Sequence, residues 1–132
     1  MPVYNVAAVA EALDLPMRQV DNVLSRHEIR GVERKRRGVT RRIAPDAVVT
    51  LRLALELAHA LHVPIGAAIE TADRLEQNGG TTRIGDFGTV SIDMDSLRAA
   101  TLNQLDRAVE MVGRRPRGRP VSRRPAGADS GA

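Results

Sequence analysis

Arg30-Gly31-Val32-Glu33-Arg34-Lys35-Arg36-Arg37 and Gly38-Val39-Thr40-Arg41-Arg42-Ile43 are two short stretches that meet at Gly38, and cations crowd both. Gly38 supplies the freedom that a tight turn needs, while Val32, Val39 and Ile43 can cover a core. The segment reads as a charged β-hairpin, or wing. Its Arg and Lys side chains are of the kind that neutralise a phosphate backbone.

Two short helices are expected upstream. Residues 6–13 place Val6, Val9, Ala10 and Leu13 on one face, with Asn5 as a cap. Asp14-Leu15-Pro16 makes the turn. Pro16 suits the first turn of a second helix, where its missing N–H costs nothing. That helix runs over 16–26 with Val20, Val23 and Leu24 inward. Helix, turn, helix and wing in this order describe a winged helix-turn-helix.

Downstream, Ala44-Pro45-Asp46 opens a third helix over 46–62. Val48, Leu51 and Leu55 form one stripe, and Val49, Leu53, Leu57 and Leu61 a second, so this helix is expected to be buried on two sides. Pro64 breaks it. A fourth helix over 65–77 carries Ile65, Ile69, Ala72 and Leu75, and Asn78-Gly79-Gly80 ends it. Residues 81–93 alternate as a small hairpin that turns at Gly85-Asp86-Phe87-Gly88, with pairing open within or between chains. A last helix, capped by Asp93 or Asp95, extends to Val112. Its Leu102, Leu105, Val109 and Val112 are spaced like a short coiled-coil seam. The seam either folds back on the third helix or pairs with a second copy. Pairing is the expectation, with Leu53 and Leu57 taking part, and the partner is a homodimer mate.

The fold class is therefore mainly α: a winged helix-turn-helix, a helical pair, a small β-hairpin and a C-terminal dimerisation helix. Its parts are expected to be a DNA-binding domain over 1–77, a dimerisation part over 78–112 and a disordered Arg/Pro/Gly-rich tail over 113–132.

Composition narrows the function further. The 132 residues suit one small domain. Tyr4 and Phe87 are the only aromatics, which argues against a stacking platform for single strands. Cysteine is absent, so disulfides, thiolate metal sites and thiol redox chemistry are excluded within the chain. No secretory signal is recognisable. The longest apolar stretch, 47–61, is interrupted by Arg52, Glu56 and His59, so no membrane span is expected. A cytoplasmic, nucleoid-associated protein is the expectation. Charge is segregated: residues 1–43 hold nine Lys/Arg against five Asp/Glu, 44–112 hold five against ten, and 113–132 hold six against one. Basic ends around an acidic middle suggest nucleic acid at the ends and protein packing between them.

From Val6 to Ile69 the chain resembles the MerR family of winged helix-turn-helix regulators. Val9-Ala10-Glu11-Ala12-Leu13-Asp14-Leu15 is similar to the family's first helix and turn, and Pro16-Met17-Arg18-Gln19-Val20 to the start of its recognition helix. Gly38-Val39-Thr40-Arg41-Arg42-Ile43 is similar to its wing, and Ala60-Leu61-His62-Val63-Pro64-Ile65 to the turn between its third and fourth helices. One departure stands out. The family's usual Leu-Arg-Tyr-Tyr is here Val20-Asp21-Asn22-Val23, and Asp21 repels a phosphate unless it faces away. Without cysteines or an aromatic drug pocket, the chain is closer to small, sensor-less members, including the related phage excisionases. No small-molecule effector and no cofactor is implied.

The resemblance and the geometry of groove reading make Met17, Arg18, Gln19 and Asn22 the candidate major-groove residues, since Arg suits guanine and Gln or Asn suits adenine. Arg34, Lys35, Arg36, Arg37, Arg41 and Arg42 are candidates for the flanking phosphates. Pro116-Arg117-Gly118-Arg119-Pro120 resembles an AT-hook core, which implies minor-groove contact by Arg117 and Arg119; general electrostatic help from an Arg-rich tail is the alternative. His59 and His62 lie one turn apart but lack further ligands, so no metal site is expected. Asp86-Phe87-Gly88 shares three letters with a kinase motif without the rest of a kinase, and no catalytic constellation is present. A non-enzymatic, sequence-selective duplex-DNA-binding transcriptional regulator is the expectation. A DNA-bending architectural or recombination accessory factor and a protein-interaction module are the alternatives.

Overall fold

A computed structural model of the chain describes residues 3–33 and 41–114. Among these, five helices and one small antiparallel hairpin follow in the order α1 (Val6–Leu13), α2 (Met17–Arg26), α3 (Pro45–Leu61), α4 (Ile65–Gln77), β1 (Thr81–Ile84), β2 (Gly88–Ser91) and α5 (Met94–Arg114). The chain is mainly helical, as its periodicity indicates.

The helix ends show why the chain stops where it does. Asn5 caps α1, its side chain accepting from the Ala8 amide at 2.8 Å. Asp14 then turns left-handed (φ 56°), and the Leu15 N–H returns to the Ala10 carbonyl at 2.9 Å. This is a Schellman-type stop with aspartate in the position glycine usually fills. His62 ends α3 in the same backbone state (φ 55°), ahead of Val63 and Pro64. Asp93 is the residue that caps α5: its carboxylate accepts from the Ser96 amide at 3.1 Å and from the Ser96 hydroxyl at 2.8 Å. Pro16 stands one residue earlier than expected. It is extended, and its carbonyl opens α2 by accepting from Gln19 and Val20.

α3 is the central element. α4 and α5 both pack on it, and α5 also lies along α1. One core includes Val9, Val20, Ile43, Leu53, Leu75 and Leu105. Residues on both sides of the boundary expected at 77/78 contribute to it.

This packing corrects the expected dimer seam. Leu53, Leu57 and Leu105 are buried within a single chain, because α5 folds back against α1 and α3. Leu105 is fully enclosed in this way, and emptying one such site costs about 2–5 kcal/mol. Leu102 is partly buried against the same core, while Val109 remains exposed. The Val112 side chain lies outside what is described. Arg52 locks α3 to α5 through the Gln104 side-chain oxygen (2.6 Å) and the Thr101 hydroxyl (3.3 Å). Asp46 and Arg98 pair across the same two helices.

The small hairpin pairs within the chain, in the register Thr81↔Ser91 to Ile84↔Gly88. Gly80 docks it: φ is +102°, and a Cβ there would stand 2.4 Å from the Ile92 carbonyl oxygen. No helix among the described residues is long and apolar enough to cross a membrane.

Candidate nucleic-acid interface

α2 presents one polar face to solvent. Val20 and Leu24 hold it to the core, while Met17, Arg18, Gln19, Asn22 and Arg26 are exposed. Arg18, Asn22 and Arg26 follow at i, i+4 and i+8, so they line a single stripe. The four α2 residues singled out from the sequence are all exposed, Arg18 and Asn22 on this stripe and Met17 and Gln19 to either side of it. Arg26 was missed, although its spacing of eight from Arg18 was the available signal.

Beside α2, the two arms that bracket residues 34–40 are tied together. Ile43 bridges Val32 on one side and Tyr4 on the other. The Glu33 amide donates to the Arg42 carbonyl and the Ala44 amide to the Gly31 carbonyl, both at 2.9 Å. Gly31 makes this approach possible. Its φ is +95°, and a Cβ would meet the Ala47 and Ala44 methyls at 3.2 and 3.3 Å. Arg34, Lys35, Arg36 and Arg37 lie outside the described residues, as do Arg117 and Arg119 of the tail.

Arg41 and Arg42 part company. An extended segment sends neighbouring side chains to opposite faces. Ile43 is fully buried, so Arg41 turns inward with it and Arg42 outward. The Arg42 side chain is 59% exposed and lies 3.7 Å from Glu33. Arg41 is only 7% exposed. Its Nη1 donates to the Leu24 carbonyl at 2.9 Å, and Nη2 to the Ser25 hydroxyl at 3.2 Å. Nη2 also stands 3.6 Å from the Asp21 carboxylate. The expected phosphate contact by Arg41 is therefore corrected: its guanidinium is spent inside the protein, clamping the arm to α2. A buried charge needs such partners to be tolerated.

The same contacts bear on Asp21, the residue that sits worst beside a phosphate. Its carboxylate is only partly exposed and faces Arg41. Its charge is offset from within, while Arg18, Arg26 and Arg42 remain exposed. Among the described residues no cluster of three or more His, Asp or Glu side chains is arranged to hold a metal ion. His62 instead serves as the left-handed stop of α3.

Comparison of the chain with family models, with curated proteins and with solved structures returned no match.

Proposed function

We propose that the protein is a duplex-DNA-binding regulator of the winged helix-turn-helix type. α2 enters the major groove, and the cationic segment 30–42 follows the flanking backbone. The observation that carries this reading is the joining of α2's open polar face to the bridged arms of that segment through Arg41. Arg18, Gln19 and Asn22 supply donor and acceptor groups suited to base edges. Arg26, Arg42 and the Arg34–Arg37 run supply charge for phosphates. Arg41 holds the two parts in one geometry without touching DNA. Binding to a roughly palindromic site by two copies belongs to this reading.

Titration of a fluorescent duplex against salt tests the proposal. The expected affinity falls steeply, by tenfold or more between about 50 and about 200 mM salt, because several counterions are released. Weak binding that ignores salt overturns it and favours a protein-interaction module.

A further inference from the structure

Phe87 is the only phenylalanine in the chain, and its side chain is fully exposed at the tip of the β1–β2 hairpin. The turn at Gly85-Asp86 does not require an aromatic there: Gly85 supplies the positive φ (62°). Arg83 stands beside the tip, its guanidinium bonded to the Asp86 carbonyl. The tip is thus an apolar knob with a cation at its side.

A matching groove opens elsewhere on the molecule. It holds about 670 Å3 between the C-terminal end of α1 and the outer side of α3. Leu13, Leu15, Leu53, Leu55, Leu57 and Ala60 wall it, and the exposed carboxylates of Asp14 and Glu56 stand at its rim beside His59 and Arg52, the latter bonded to Gln104. Ile92, at the foot of the hairpin, borders the groove. The tip lies about 13–17 Å from that foot along β2, since a strand rises about 3.3 Å per residue. Phe87 is fully exposed and does not line its own chain's groove.

We propose that Phe87 of one copy seats in the α1–α3 groove of a second copy, reciprocally about a two-fold axis. Arg83 then faces the Asp14 and Glu56 rim. The surface areas fit a weak dimer. A phenyl ring buries roughly 150–250 Å2 and covers a similar area of groove, so two reciprocal insertions account for about 800 Å2. A stable specific interface needs about 1,000 Å2 or more, which the flanking hairpin residues approach. Weak self-association is expected. It supplies the two-fold pairing of the DNA reading, but it is measured without DNA, so either can fail alone.

The chain has no tryptophan, so Phe87→Trp places a unique reporter at the tip. The full-length variant is followed by fluorescence and by sedimentation over about 1 µM to about 1 mM, the span of weak association. The expected result is a concentration-dependent blue shift and loss of iodide quenching that track dimer formation. Phe87→Ser, at a fully exposed site that the fold does not use, is expected to raise the dimer dissociation constant at least tenfold with helical content unchanged. The proposal is overturned if the chain stays monomeric throughout. It is equally overturned if a dimer forms while the introduced indole remains in water, or if Phe87→Ser dimerises like the wild type.

Discussion

Arg41 and Leu24 are joined by a buried hydrogen bond, Nη1 to carbonyl oxygen, at 2.9 Å. Leu24 lies in the last turn of α2, where carbonyls lack helical partners and the helix dipole is negative. A guanidinium there completes the helix end, and because it comes from the arm after residues 34–40 it fixes that arm to α2.

Arg41→Ala therefore leaves the Leu24 carbonyl and Asp21 without their cation. Hydrogen bonds to charged groups contribute about 1.5–3 kcal/mol, and a loss of about 2 kcal/mol is expected in urea denaturation. Arg42→Ala removes only an exposed side chain and is expected to change stability by less than about 0.5 kcal/mol.

On DNA the order reverses in kind. Arg42→Ala is expected to lower the salt slope of duplex binding by about 1, the mark of one lost phosphate contact. Arg41→Ala is expected to weaken binding with the slope kept, since its charge contacts no phosphate. Equal changes of slope would contradict the division of roles.

Glu76 gives a pH signature. Burial pushes its carboxyl above the ordinary 4.5, outweighing the hydrogen bond with the Thr50 hydroxyl, and Asp73 raises it further. The folded state thus holds this proton more tightly than the unfolded chain. Its contribution is complete below 4.5 and is lost as pH rises through the higher folded value. Glu76→Gln is expected to gain stability over wild type at about pH 7 and not at about pH 4, as read by urea denaturation.

Gly80→Ala is expected to cost about 2–3 kcal/mol, since the residue is left-handed and its Cβ would strike the Ile92 carbonyl. The opposite sign is expected at His62. Placing glycine at this left-handed helix stop is expected to raise stability by about 0.5–1 kcal/mol in thermal unfolding.

Much of the architecture was readable because it rests on local signals. Asn5, Pro45, Pro64 and Asn78-Gly79-Gly80 mark helix ends, and the two apolar stripes of α3 foretold its burial except at Leu61, which is exposed in the last turn. The mate of the second stripe was not readable. Spacing alone does not distinguish α5 folding back from α5 pairing with a copy, and the structure has Leu105 inside one chain. Arg41 was grouped with its cationic neighbours because composition carries no direction. Counting by two from Ile43 would have turned it inward. Asp21, a misfit when α2 is taken alone, makes sense only beside an arginine twenty residues away.

Selection of bound sequences from a pool of random duplexes, with the wild-type chain and with Arg18→Ala, tests the proposed base reading most directly. The expected result is one discrete, roughly palindromic motif for the wild type. Arg18→Ala is expected to relax preference at one position by about 1–3 kcal/mol while leaving affinity for random duplex nearly unchanged. No enriched motif, or an equal loss on every sequence, would contradict the assignment of α2 to the major groove.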